Sequence, residues 1–341
     1  LNACPFPFFD ASREYLSTDD GIVPLDEDLR KLSMVFPGEY FNLPRENAYM
    51  GMTLSSRGCP HHCTYCCNNL IMLLYKGAGS RLLRRRSASV VVDELAEIKS
   101  KMPFVTFMAR LDDDFCAVKT DYIAEFARLY KEKVGLPFKC NTTPASLTRE
   151  KIAILRDAGL ISAEMGIQTA SERINRDIYR RRFNKEKFRE AARIIRDAGI
   201  INCYDVILDN PFETTAEKLE TVHYLAEVPK PCILSCFSLT FFPGTEMHRM
   251  AIEAGYLRDE EQEVYNKRNI AVYIEKEPYI KFLTMNAAST RFDTERRPWA
   301  RTLLRAMTSR PAMFLLNRPY FGTVIWPVLS ALQSVFSRRK N

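Results

Sequence analysis

Three times in the middle of the chain a helical-looking stretch ends in glycine, and an apolar, strand-like run begins at once. The instances are Val134-Gly135-Leu136, Asp157-Ala158-Gly159-Leu160 and Asp197-Ala198-Gly199-Ile200. Glycine suits the left-handed position that closes a helix, because it has no Cβ to clash there. The second and third marks are near-repeats, Leu155 to Ile161 against Ile195 to Ile201. Such punctuation predicts strands near 53–57, 103–109, 137–142, 160–167, 201–208 and 232–241. It predicts amphipathic helices between them, over 120–133, 148–158, 185–198 and 214–227. In the last of these, Ala216, Leu219, Val222, His223 and Ala226 recur at helical spacing, and Thr214 or Thr215 would cap the start ahead of Glu217. Strand alternating with helix implies parallel strands joined by right-handed crossovers. The expected fold is therefore α/β, a partial (β/α)6 TIM-like barrel, with a flat doubly wound sheet as the alternative that periodicity leaves open.

The flanks read differently. Residues 1–49, broken by Pro5, Pro7, Pro24, Pro37 and Pro44, are expected to be a linker or strap. The core is expected over 50–258. Residues 259–341 are expected to form a basic helical C-terminal region interrupted by Pro298, Pro311, Pro319 and Pro327. The chain starts at Leu1 and not at Met, which suggests a piece of something longer. No basic start followed by a long apolar run is visible in its first residues. The formal net charge is +7. From Arg296 onward there are nine Arg or Lys and no Asp or Glu, so attraction to anions belongs to that tail.

Ten cysteines at irregular spacing, in a 341-residue chain, argue for reduced thiols or metal ligands over a disulfide scaffold. A reducing cytoplasm is the expected compartment. The decisive stretch is Ser56 to Asn68, where Cys59, Cys63 and Cys66 stand as Cys-x3-Cys-x2-Cys on the loop after the first predicted strand. Barrel enzymes place their chemistry at that end of their strands. Thiolates are soft ligands suited to an iron–sulfur cluster, and three of them would leave one iron of a cubane open. Zinc completed by His61 or His62 is the bland alternative, but no second Cys-x2-Cys or His pair follows at finger spacing. Cys67 reads as a spare neighbour pointing away. Cys116, Cys140, Cys203, Cys232 and Cys236 read as small buried hydrophobes, and His223 and His248 as structural.

Here the sequence resembles the radical SAM superfamily, whose signature is Cys-x3-Cys-x-aromatic-Cys. Cys59, Cys63, Tyr65 and Cys66 match it, and the resemblance runs over about residues 50–258. Leu111 to Phe115, with Asp112, Asp113 and Asp114, is similar to an acidic loop near the methionine amine. Met165 to Glu172 resembles the strand-four Gly-Ile-Glu/Gln-Ser segment. Asp205 to Thr214 resembles the strand-five segment ending in Pro-x-Glu-Thr, and Phe242 to Thr245 the Pro-Gly-Thr turn. One departure is Asp209, where many members carry glycine.

The resemblance implies a [4Fe–4S] cluster on Cys59, Cys63 and Cys66, reductive cleavage of S-adenosylmethionine (SAM), and a 5′-deoxyadenosyl radical. Tyr65 would hold the adenine edge, Asp113 the amine and Gln168 the ribose or carboxylate region, while Asp209 could have a new polar role. The residue that takes part in substrate chemistry is not read from the sequence. Leu1 to Pro7 and Tyr204 to Pro211 resemble the cobalamin-dependent group, which implies a cobalamin-binding domain upstream and methylation of a small-molecule or lipid-like substrate, with cyclisation or rearrangement as other outcomes. A reducing protein such as a flavodoxin or ferredoxin would supply electrons. The competing readings are an RNA-modifying radical SAM enzyme and a non-catalytic iron–sulfur electron carrier. The basic tail reads first as helices docked on the barrel with a solvated face, and next as an interfacial helix on anionic lipid, peripheral to a membrane. Nucleic acid is the least favoured partner.

Overall fold

The computed structural model describes residues 2–3, 5–6, 14–18, 21–24, 27–37, 47–77, 83–110, 112–267, 277–318 and 320–325. Six strands carry the expected topology: β1 (Asn47–Thr53), β2 (Phe107–Arg110), β3 (Phe138–Asn141), β4 (Leu160–Gln168), β5 (Ile201–Leu208) and β6 (Cys232–Ser238). They lie side by side in chain order within one sheet, with the short strand Val35–Pro37 antiparallel on the edge of β1. Parallel register runs from Met50 opposite Phe107 to Thr53 opposite Arg110, and on through Met108 opposite Phe138. The first strand falls at 47–53 and not at 53–57. Ser56–Arg57 forms instead a two-residue antiparallel pair with Arg84–Arg85, because the chain has already left the sheet edge by Ser55.

The crossovers hold α1 (Cys67–Gly77), α2 (Ala88–Lys101), α3 (Thr120–Lys133), α4 (Arg149–Asp157), α5 (Lys185–Asp197) and α6 (Thr215–Glu227). The last is capped by Thr214, whose hydroxyl accepts from the Glu217 N–H while the Glu217 carboxylate accepts from the Thr214 N–H. On α5, Phe188, Ala191, Ala192 and Ile195 are buried at helical spacing while the charged positions stay out, so one stripe drives packing. Gly159 and Gly199, the predicted stops, have φ of 109° and 75°.

The chain divides into two compact units, Leu1–Pro60 with Met72–Met165 and Arg193–Asn202, and His61–Ile71 with Gly166–Ala192 and Cys203–Asn341. The first packs α2 and α3 on β1 to β3 through Val91, Val92, Leu95, Phe107, Ile123 and Phe126, all fully buried. Phe126 sits among the rings of Phe115, Tyr130 and Phe138, with centroids 5.0, 5.3 and 6.0 Å away. In the same unit the stretch read as a strap contributes a hairpin, Tyr15–Thr18 with Gly21–Pro24, and a short helix, Glu27–Met34.

The second unit has a core of Ile174, Tyr179, Ile207, Leu239, Phe241, Met247 and Ala251. It also contains α7 (Glu246–Glu253), α8 (Pro278–Ala288), α9 (Pro298–Met307) and α10 (Arg310–Leu316). Among the described residues the prolines of the basic region start helices and do not break them, while Pro319 and Pro327 lie outside those residues. Pro278, Pro298 and Pro311 each occupy the first turn, where the missing N–H costs nothing. Leu1, Cys4 and Pro7 of the linker resemblance, and 326–341 of the basic C-terminal region, lie outside the described residues. Among the described residues no helix is long and apolar enough to cross a membrane.

Candidate functional site

The cysteine loop is built by hydrogen bonds from its own backbone and from the second unit. Cys66 N–H donates to the Cys63 carbonyl at 3.1 Å, and the Asn69 amide donates to the same carbonyl at 2.7 Å. Thr64 is the anchor. Its hydroxyl donates to the Ile178 carbonyl at 2.6 Å, its N–H to Tyr179 O at 3.1 Å, and its carbonyl accepts from Met247 N–H at 3.1 Å. Cys59 belongs to the first unit, where its N–H points at the Met72 sulfur, 3.2 Å away. None of Cys59, Cys63 and Cys66 is in a disulfide, and Cys63 is buried and the other two half-buried. Cys67, the first residue of α1, is exposed, as expected of a spare neighbour. Cys116, Cys140 and Cys203 are buried, whereas Cys232 and Cys236 are only half-buried.

Around Cys63 the second unit gathers Tyr65, Tyr179 and Arg181. Burial pushes the Cys63 thiol up, while the Arg181 guanidinium and the Tyr65 hydroxyl oppose that shift. Burial likewise holds Tyr65 far above the ordinary phenol range, against the opposing pull of Arg181. The Tyr65 ring meets Tyr179 edge-on at 4.8 Å. Arg181 itself is fixed by the carbonyls at the end of β4, donating to Ile167 O at 2.8 Å and to Gly166 O. Sequence reasoning passed over Arg181 and Tyr179. The run Arg180-Arg181-Arg182 was the available signal, but only the fold shows which of the three turns inward.

The two strand-end candidates share one backbone property. Among the described residues Gln168, Arg180 and Asp209 are the non-glycine positions with positive φ, at 64°, 49° and 54°. Such a backbone is costly for most side chains and persists only where the surroundings enforce it. At Gln168 the enforcement comes from the next residues. Thr169 Oγ1 donates to Glu213 at 2.6 Å, Ala170 N–H donates to Thr221 Oγ1 at 2.9 Å, and the Asn175 amide donates to Thr169 O at 2.8 Å. The Gln168 amide oxygen is left buried without a hydrogen-bond partner. Beside it Gly166 has no side chain, and a Cβ there would stand 2.5 Å from Gln168 Nε2. At Asp209 the carboxylate holds the turn. It accepts from the Ser238 hydroxyl and from Leu239 N–H at 2.8 Å, and it pairs with Lys267 at 3.6 Å. An aspartate can therefore stand at this turn because its short side chain bonds locally, in place of the freedom a glycine would supply.

In the first unit the acidic loop separates into roles. Asp112 is fully buried, and its Oδ1 accepts from the N–H and hydroxyl of both Ser55 and Ser56 at 2.7–2.8 Å. Asp114 is bound by Thr143 and Ser146 hydroxyls at 2.7 Å. Both carboxylates fasten the loop, and Asp113 stands half-buried between them. Glu213, in the Pro-x-Glu-Thr segment of the second unit, is raised to about 7 by burial, opposed by the Thr169 bond and Lys218. Its neighbour Glu217 is lowered to about 2, chiefly by its bond from Arg173. His223 and His248 are structural in their contacts: His223 meets the Thr308 hydroxyl at 3.0 Å, and His248 lies 3.6 Å from Glu260.

Among the described residues no group of three or more His, Cys, Asp or Glu side chains is close enough to hold a metal ion. The donor chemistry nevertheless suits an iron–sulfur cluster, since cysteine side chains are the ligands such clusters take and three of them, none in a disulfide, stand within one eight-residue stretch. The partnerless Gln168 oxygen suits a polar ligand at the end of β4.

Comparison with known proteins finds a family and several relatives. The model of the radical SAM superfamily matches residues 53–225. A cytidylyl-2-hydroxyethylphosphonate methyltransferase from Streptomyces wedmorensis is 25% identical over 219 residues, which cover 62% of this chain and 39% of that protein. Among solved structures, the radical S-adenosylmethionine methyltransferase TsrM from Kitasatospora setae has a TM-score of 0.49 at 16% identity, covering 72% of this chain and 49% of that one. The coproporphyrinogen III oxidase HemN from Escherichia coli has a TM-score of 0.46 at 16% identity, covering 63% and 49%. The chain thus spans about two-fifths of the length of the curated relative it matches.

Proposed function

The chain belongs to the radical SAM superfamily of enzymes, and on that premise we propose that it cleaves SAM reductively at a [4Fe–4S] cluster held by Cys59, Cys63 and Cys66, for methyl transfer to a small-molecule or lipid-like substrate. The observation that carries the reading is the Cys-x3-Cys-x2-Cys spacing of Cys59, Cys63 and Cys66, none of them in a disulfide, on the loop anchored by Thr64. When bound, the reduced cluster supplies the electron that breaks the sulfonium bond, and cobalamin supplies a methyl carrier. The cobalamin part rests on the resemblance of Leu1 to Pro7 and Tyr204 to Pro211, and the methyl part is supported by the name of the Streptomyces relative.

The chain's own residues have separable tasks. Arg181 places a positive charge beside Cys63, which favours the thiolate form needed for ligation. Tyr65, half-buried and edge-on to Tyr179, offers an apolar ring wall for an adenine edge. Gln168 presents a buried amide oxygen that lacks a partner and would accept a hydrogen bond from a ribose hydroxyl. Asp113 is the candidate for the methionine amine on the resemblance of its loop to the family's acidic loop, which Asp112 and Asp114 fasten. Asp209 contributes through the left-handed turn that its carboxylate stabilises. A reducing protein of the flavodoxin or ferredoxin kind is the expected electron donor.

The test is anaerobic reconstitution, dithionite reduction and assay for 5′-deoxyadenosine, with iron content and SAM affinity measured in parallel. The wild-type chain should bind about four irons per chain, as a cubane requires, and release 5′-deoxyadenosine, and Cys63→Ala should lose both. Unchanged iron and cleavage in Cys63→Ala would overturn the assignment, as would zinc in anaerobically purified protein. A loaded cluster without 5′-deoxyadenosine would favour an electron carrier. Methyl transfer is read separately, by following a deuterated SAM methyl group with and without added methylcobalamin.

A further inference from the structure

In the second unit, α10 has no buried residue at all. Its Phe314 and Leu315 are 69% and 59% exposed. Globular helices bury an apolar stripe against a neighbour, whereas among the described residues Phe314 and Leu315 stay mostly uncovered, and Ala312, Met313 and Leu316 are only half-buried. The preceding helix, α9, is also only partly covered. Ala300 and Leu304 of α9 are buried and dock the helix, whereas Trp299 and Leu303, one helical turn apart on the adjacent strip, are 55% and 42% exposed. Tyr320, just beyond α10, is 45% exposed.

Charge decides what covers this face. Between Arg296 and Ile325 stand Arg296, Arg297, Arg301, Arg305, Arg310 and Arg318, and no Asp or Glu. All six arginines are exposed. Arg318 folds its guanidinium over the Phe314 ring at 5.0 Å, so cationic and apolar groups share one patch. We propose that α9 and α10 form a peripheral docking surface for an anionic lipid bilayer, with Trp299, Leu303, Phe314 and Leu315 entering the headgroup boundary and the arginines meeting lipid phosphates. Leucines and exposed aromatics of this kind gain free energy from an acyl boundary. The leucines have neither donors nor ring faces for a nucleic acid, which makes RNA the weaker match.

The experiment is co-sedimentation of the full chain with 100 nm vesicles of phosphatidylcholine containing about 30% phosphatidylglycerol, against pure phosphatidylcholine vesicles and against a single-stranded RNA. Binding should require the anionic lipid and fall steeply with added salt. Each basic side chain near such a surface is worth about fivefold in affinity, so R301Q/R305Q/R310Q should bind about 100-fold more weakly. L303S/F314S, which changes only exposed side chains, should also lose vesicle binding while keeping the far-ultraviolet circular dichroism of the wild type. The proposal is overturned by the absence of binding to anionic vesicles, by equal binding of the variants, or by retention on RNA in place of lipid. Self-association through this face, seen as a dimer in sedimentation that vesicles do not dissociate, would overturn it as well.

Discussion

Glu213 makes the most specific demand on the protein's pH behaviour. The side chain is 8% exposed, and its carboxylate accepts the Thr169 hydroxyl at 2.6 Å. Burial raises it from the ordinary 4.5 to about 7. A carboxyl held up in the folded state stabilises fully below its unfolded value of about 4.5, and that stability is lost as pH rises through about 7. At 1.36 kcal/mol for each pH unit, the whole effect is about 3 kcal/mol, of which about 2.5 kcal/mol falls between pH 5 and 8. Glu213→Gln keeps the shape and removes the ionisation. Urea unfolding of the wild type and E213Q, followed by far-ultraviolet circular dichroism at pH 5, 6.5 and 8, isolates the effect because every other titrating group is common to both. His223, lowered by burial, acts in the opposite direction, losing its contribution as pH falls below the ordinary imidazole range, and cancels in the difference. Glu217, held near 2, loses its contribution only below the tested range. E213Q should gain on the wild type by about 2.5 kcal/mol as pH goes from 5 to 8. A difference between the two proteins that stays constant with pH would refute a buried carboxyl titrating near neutrality.

Three further outcomes separate binding from folding. Gly166→Ala should push the Gln168 amide aside, weakening SAM binding by roughly tenfold, as for the loss of about one hydrogen bond, while the unfolding midpoint stays put; isothermal titration beside thermal melting reads both. Asp112→Ala strands the N–H and hydroxyl donors of Ser55 and Ser56 in a buried site, and should cost about 3 kcal/mol of unfolding free energy in urea titration. Phe126→Ala opens a cavity among Phe115, Tyr130 and Phe138 and should destabilise by about 4 kcal/mol, read the same way, with no change in SAM affinity if the ring cluster serves packing alone.

Local chemistry was legible without coordinates wherever one residue or one period carries the signal. Gly159 and Gly199 were readable as helix stops, since the left-handed turn discriminates strongly among side chains. Strand β5 and helix α3 fall on the expected residues, and Thr214 caps α6 as its hydroxyl and the following Glu217 require. The spacing of the three cysteines and their aromatic neighbour is equally visible in the chain itself, and it is on that spacing that their proposed ligand role rests. Tertiary structure decided what depends on residues far apart. It made Asp112 and Asp114 fasteners by bringing serines and threonines up to 57 positions away onto their oxygens, a distinction invisible in a run of three aspartates. It turned Arg181 toward Cys63, and it set Gln168 and Asp209 in left-handed turns held by Thr169, Glu213 and Ser238. Periodicity and spacing act over one turn or one loop, whereas burial, hydrogen-bond satisfaction and perturbed ionisation arise only when distant segments exclude water together.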